Sequence, residues 1–594
     1  MKKTALCMAL AMAMGLTGCS LSPANSQDAA AQASVAMTPS AQFSQFSEQF
    51  IAALWQQYPE ASLWAGYGKY DDIITIPNQA ARTASVAFSK AWLAKLAAFD
   101  IEQLSDNQKI DYHLIENRLK RDIWHTETFK SWQWNPANYN VSYGFATILN
   151  SRFKSDDEKL KLVLERLKYV PDYYQAAQEN IDTPTIEYTQ LAIAQNQGAF
   201  SVLNDELLEK LATSLLTAEE KTLFKQRFAA AKSAINGYVS FLTNLEKELA
   251  ENGNARSFRI GEELYEQKFA FDIQSGYSAK QMYQKALEDK ARVTAEMVKI
   301  TDSLWPKYFA DTPRPESDRD AIAKLIKHLS VKHVKRENFV SEIKRQIPEL
   351  EKFVIENDLI TLDPEKPLVV RETPEYMRGF AGASISAPGP YDKKENTYYN
   401  VSPLDGMSDE QAESYLREYN HWILQILNIH EAIPGHYTQL VYANESPSLV
   451  KSILSNGAMI EGWAVYTERM MLEQGYGNFE PEMWLMYYKW NLRVICNTIL
   501  DYAIQVKGIS REEGLDLLMN GAFQERAEAE GKWRRATLSQ VQLTSYYSGY
   551  REIYDFREAQ KQKLGDDFDL KAFHEEFLSF GSAPVKYIRQ LMSK

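Results

Sequence analysis

His430-Glu431-Ala432-Ile433-Pro434-Gly435-His436, followed by Glu461-Gly462-Trp463-Ala464, is the stretch on which the reading of this chain turns. Two imidazoles, with carboxylates beside them and on a later segment, are what a catalytic zinc site needs. Such a site takes three protein ligands and leaves one position for water. A neighbouring Glu, here Glu431, can remove the proton of that water. The chain has only eight histidines in 594 residues, and three of them, His421, His430 and His436, fall close together.

Spacing alone does not assemble this site. In the common arrangement the two His stand four apart on one helix face. Here they are six apart, and at about 100° per residue an unbroken helix leaves them roughly 120° out of register. Pro434 removes a helical hydrogen bond and clashes with the preceding turn, and Gly435 tolerates unusual dihedrals. A distorted turn over 433–435 is expected to swing His436 back beside His430.

Upstream, Ser408-Asp409-Glu410-Gln411 is a capping-box pattern. Tyr415, Tyr419, Trp422, Ile423, Ile426 and Leu427 follow at helical spacing. The expectation is one helix from Ser408 that carries His430 and Glu431 near its end, on a packed element. Three β-like runs precede it: Leu368-Val369-Val370-Arg371, Ala381-Gly382-Ala383-Ser384-Ile385-Ser386 and Thr397-Tyr398-Tyr399-Asn400-Val401. They predict a small sheet just before the catalytic helix. Small side chains at 381–383 would let an extended peptide approach an edge strand; a structural hairpin explains the same runs equally well. Downstream, Glu468 is seven residues after Glu461 and shares its helix face. It could orient a ligand from behind or form a structural ion pair.

Beyond this region, amphipathic segments at 157–169, 218–249 and 278–305, with sparse Gly and Pro, predict a mainly α fold. No low-complexity linker follows residue 45. Residues 45–594 therefore read as a single helical body around a central cleft, long enough to divide into two lobes.

The N-terminus reads as an address. Lys2 and Lys3 precede an apolar run over 5–16 that is too short to span a bilayer. Leu16-Thr17-Gly18-Cys19 resembles a bacterial lipobox, which implies a signal peptide over 1–18 and a lipid on Cys19. An ordinary signal peptide containing a cysteine is the plainer alternative. Ser20, in place of a retention Asp, implies the outer membrane, facing the periplasm. Residues 19–44, rich in Ala, Ser and Gln, read as a flexible tether. Membrane contact is expected through this anchor only. The net charge of −13 and the lack of a basic cluster argue against nucleic acid. With Cys7 removed and Cys19 lipidated, Cys496 stands alone in an apolar run and reads as a buried residue.

The motif pair resembles the bacterial family known as domain of unknown function 885. That family is similar to zincin-type, gluzincin-like metallopeptidases, among them the thermostable carboxypeptidases, angiotensin-converting enzyme and the thimet-type oligopeptidases. Ser545-Tyr546-Tyr547-Ser548-Gly549, Phe568-Asp569-Leu570-Lys571-Ala572-Phe573-His574 and Phe580-Gly581-Ser582-Ala583-Pro584 extend the resemblance over nearly the whole mature chain. It implies a zincin-like body in which His430, His436 and Glu461 hold zinc and Glu431 is the general base. Tyr546 would donate to the oxyanion, and the activity would be hydrolysis of short peptides.

The chain also departs from the family pattern. Tyr437 stands where a second His is common. Arg493-Val494-Ile495-Cys496-Asn497-Thr498-Ile499-Leu500-Asp501 has Asn497 for Asp and Asp501 for His. A catalytically inactive lipoprotein that binds peptides or a partner protein is therefore the alternative. A di-iron carboxylate protein needs paired Glu-x-x-His motifs, which the site candidates lack. Plainer roles are Glu461 paired with Arg493, and Tyr546 packed in the core. Arg534-Arg535 and the basic run 332–336 read as solvated faces, either of which could fork onto a substrate carboxylate.

Overall fold

The computed structural model describes residues 37–366, 368–373, 382–387, 389–391, 396–446 and 448–593. The signal segment, Cys19 and the tether up to residue 36 lie outside the described residues.

Helix α1 (Pro39–Gln57) starts at Thr38, whose hydroxyl accepts the Ala41 N–H, and buries Phe43, Phe46 and Phe50. This corrects the tether boundary. Residues 39–44 belong to the folded body, because Phe43 is an apolar anchor inside the Ala- and Ser-rich stretch. The long amphipathic segments form α2 (Ala218–Asn252) and α3 (Ala279–Tyr308), each opened by a capping box, Thr217 with Glu220 and Ser278 with Gln281. Among the described residues the buried apolar side chains form two clusters. One lies between Leu63 and Leu242; the larger draws on residues from Phe43 to Ile588. Among the described residues no helix is long and apolar enough to cross a membrane. The fold is mainly α with one small sheet, as expected.

That sheet has strands β1 (Val369–Glu372), β2 (Ala383–Ser386) and β3 (Tyr398–Val401), in the order β1-β3-β2. β1 runs parallel to β3, with Val370 opposite Tyr399; β2 is antiparallel to it, with Ile385 opposite Tyr399. The central strand is the buried one, and the Tyr399 hydroxyl donates to Asn428 Oδ1 at 2.8 Å. The sheet is thereby tied to the helix that carries His430. Ala381, part of the second predicted run, lies outside the described residues.

The single helix expected from Ser408 is two helices, α4 (Asp409–Glu418) and α5 (His421–Glu431). The Ser408–Gln411 capping box forms as read. The chain then breaks at Tyr419 and Asn420, because Asn420 caps a new helix: its Oδ1 accepts the N–H groups of Trp422 and Ile423 at 3.2 and 3.3 Å. A short amide side chain competes well for backbone donors in this way. Helices α6 (His436–Glu445), α7 (Gly457–Glu473), α8 (Pro481–Tyr502), α9 (Arg526–Thr537) and α10 (Ser545–Leu564) complete the surroundings of the site.

Candidate metal centre

α5 is buried along most of its length, from Trp422 to His430. It ends where the sequence places a broken turn. Ala432 leaves helical dihedrals, the Ile433–Pro434 peptide is cis, and α6 restarts at His436. Gly435 donates its N–H to the Ile429 carbonyl at 3.0 Å. A Cβ at this position would overlap the carbonyl oxygens of His430 and Ile429, so only glycine lets the chain pass this close. The Pro434 carbonyl accepts the indole N–H of Trp463 at 2.9 Å, which pins the turn to α7.

The turn brings the two imidazoles together, 4.8 Å between ring centroids and nearly perpendicular. Glu461 on α7 meets both. Its Oε2 is 3.4 Å from His436 Nε2 and 3.8 Å from His430 Nε2. One donor atom from each of His430, His436 and Glu461 lies within 4.8 Å of the others. Donors sharing one tetrahedral zinc stand about 3.3 Å apart for bonds of roughly 2.0–2.2 Å. The trio is therefore within small side-chain rotations of closing on an ion, and its His₂Glu chemistry suits zinc. Among the described residues this is the group able to hold a metal.

Glu468, fully buried on α7, receives the other ring nitrogen of His430: Oε1 lies 2.7 Å from Nδ1. The Trp490 indole N–H donates to the same oxygen at 3.1 Å. A carboxylate behind a metal-binding imidazole fixes its tautomer and aims the free nitrogen at the ion. Burial acts to lower the His430 pKa, but the hydrogen bond and charge of Glu468, with Glu431 and Glu461, outweigh it and lift it to about 9. Burial raises the pKa of Glu431 and of Glu468. For Glu461 burial pushes upward too, but His436 and His430 override it and hold its pKa down. Carboxylates crowded around two imidazoles bind protons that a divalent cation would displace.

The site opens on a cleft of about 640 Å³ lined by β2, α5, α7, α8 and α9 together with Tyr546. A second cavity of about 620 Å³ shares Ile460 and Glu461 with it and is walled on its far side by residues 125–273. The main cleft thus lies within the 382–546 region, while the adjoining cavity reaches the N-terminal helices. β2 is an edge strand of the described sheet and lines this cleft.

Tyr546 lines the cleft. Burial raises its pKa, and Glu461, Arg535 and Glu431 also act on it. The plainer Glu461–Arg493 pair does not form; Arg493 pairs with Glu528 at 2.9 Å. Arg535 also lines the cleft, whereas Arg336 clamps the loop before α4 through the carbonyls of Leu404 and Met407. The two departures on α8 separate. Asp501 is buried and accepts the N–H groups of Val541 and Leu543 at 3.2 and 3.1 Å, so it shapes the approach to Tyr546. Asn497 faces the cleft and accepts from Lys532 at 3.2 Å. His574 is buried between Tyr466 and the Leu359 carbonyl, a core residue. Cys496 is free and buried. Sequence reading missed Trp490 and Lys532 and gave Trp463 of the quoted motif no role, since an indole or ammonium partner across the fold leaves no periodic trace.

The family described as bacterial protein of unknown function, DUF885, matches residues 59–592. The chain belongs to this family. A solved structure of a candidate lipoprotein of unknown function from Shewanella oneidensis is 65% identical, covers 93% of this chain and 100% of its own, and has a TM-score of 0.89. A candidate lipoprotein from Colwellia psychrerythraea has the same fold at 17% identity, with a TM-score of 0.73 over 94% of this chain and 99% of its own. No curated protein matches the chain. Similarity to candidate bacterial lipoproteins is consistent with a lipid-anchored envelope protein, as the N-terminal segment implies.

Proposed function

We propose that this protein is a zinc-dependent peptidase acting on short peptides. It is held by a lipid on Cys19 at the outer membrane and faces the periplasm. The convergence of His430, His436 and Glu461, backed by Glu468, carries the reading. When bound there, zinc supplies a Lewis acid toward a peptide carbonyl and lowers the pKa of a water.

The remaining chemistry belongs to the chain. Glu431, more basic than a solvated carboxylate because it is buried, takes the proton of the attacking water and returns it to the leaving amine. Burial keeps the Tyr546 hydroxyl protonated, so it can donate to the developing oxyanion. Glu468 keeps Nε2 of His430 directed at Glu461. The zincin-like resemblance supports the same roles.

A peptide-library digest read by mass spectrometry, with and without chelator, tests the proposal. Cleavage that stops with chelator and in Glu431→Gln, while that variant keeps its zinc, is the expected result. Stoichiometric zinc with an uncut library would overturn it. Substoichiometric zinc after reloading would leave the non-catalytic binder.

A further inference from the structure

We propose that the α9 wall of the cleft is a carboxylate-binding subsite, in which Lys532 and Arg535 receive an anionic carboxylate of the bound peptide. This rests on the reading of the cleft as a peptide site and adds what kind of peptide it takes.

The cations of α8 and α9 differ in their partners. Lys489 is buried and paired with Glu418 at 2.5 Å. Arg493 is paired with Glu528 at 2.9 Å. Lys532, only 8% exposed, has the neutral Asn497 amide oxygen as its partner at 3.2 Å and, among the described residues, no carboxylate within ion-pair distance. A buried ammonium without a counter-charge is costly to desolvate. Burial, aided by Arg493 and Arg535, holds its pKa far down, and Glu528 and Glu418 oppose this only in part. An arriving carboxylate would complete what the fold leaves open.

Arg535 repeats the pattern at the mouth. Its Nε and Nη2 both donate to the Gln542 side-chain oxygen, at 3.1 and 2.6 Å, so a neutral amide steadies the guanidinium without neutralising it. Its charge acts on both Glu461 and Tyr546, which places it beside the metal centre. A planar fork lines the same 640 Å³ cleft as a buried amine that an arriving carboxylate would help to hold protonated, and the two match a carboxylate in shape and charge. That volume is in the range of sites for small ligands. The carboxylate could be the C-terminus of the peptide or an Asp or Glu side chain.

The test is calorimetric binding of short peptides to the zinc-treated Glu431→Gln chain, which is expected not to cut them. One arm compares a free C-terminal acid with its amide; the other compares an internal Asp with Asn. The expected result is binding weakened about tenfold or more in the neutral member of one arm, as loss of a desolvated charge pair does. The responding arm names the source. Lys532→Met should erase the difference. So should Asn497→Asp, which gives Lys532 an internal carboxylate and covers the case in which Lys532→Met fails to fold. Equal affinity for charged and neutral peptides, discrimination that survives both variants, or no binding by any peptide would overturn the subsite. Acid-selective binding by a chain that never cuts would instead remove the peptidase reading and leave the subsite standing.

Discussion

Gly462 on α7 and Gly549 on α10 face each other where the two helices cross. A Cβ on Gly549 would land on the Ala458 carbonyl, and a Cβ on Gly462 would land on the Gly549 backbone. The absence of two side chains therefore sets how closely the helices approach. Glu461 adjoins the first glycine, and Tyr546 lies one helical turn before the second. The close crossing puts both on the same cleft.

Gly549→Ala should consequently cost about 2–4 kcal/mol of stability, since overpacking against backbone has no side-chain escape. Urea denaturation measures it. A midpoint equal to wild type would show that the crossing is not the constraint.

Gly435→Ala should leave the distant helices folded but spread the metal ligands, because its Cβ meets the carbonyl of His430 itself. Zinc affinity, followed by competition with a chromophoric chelator, should fall about tenfold or more. Unchanged affinity would mean that the turn yields without cost.

Glu468→Gln preserves size and removes the charge behind His430. The expected loss in zinc affinity is about 10–100-fold, with the melting temperature little affected. Affinity within error of wild type would reduce Glu468 to a packing role.

Tyr546→Phe removes one hydroxyl from the cleft. On the peptidase reading, kcat falls about 10²–10³-fold while zinc content and KM hold. A drop confined to KM would reassign the hydroxyl to substrate binding.

Asp501 offers a pH test away from the metal. Burial lifts its pKa from 3.8 to about 7, against the N–H groups of Val541 and Leu543 that stabilise its anion. The folded state thus holds a proton here that the unfolded chain has lost between about pH 4 and 7. The contribution of this group to stability is greatest below that window and declines as pH rises through it, by at most about 1.4 kcal/mol per unit. Asp501→Asn should flatten that part of the stability–pH curve. A curve parallel to wild type between pH 5 and 8 would contradict the shift.

Several features were legible locally. The Ser408 capping box, the β-runs, the long amphipathic helices and the break at Pro434-Gly435 all follow from short-range sterics and hydrogen bonding. The helix break at Asn420 was missed, although the residue type signals it, because the apolar spacing runs on through the break. Phe43 was likewise lost in a stretch whose composition reads as tether.

What the amino-acid order settled by itself is the helical class and the donor types at 430, 431, 436 and 461, because propensity, capping and ligand chemistry are properties of neighbouring residues. Only tertiary packing decided that Glu461 reaches both imidazoles, that Trp490 and Glu468 stand behind His430, that Asp501 serves the backbone and that Lys532 faces the cleft beside an amide. Those relations depend on how closely helices approach and on which charges lose water together, and neither is encoded in spacing along the chain.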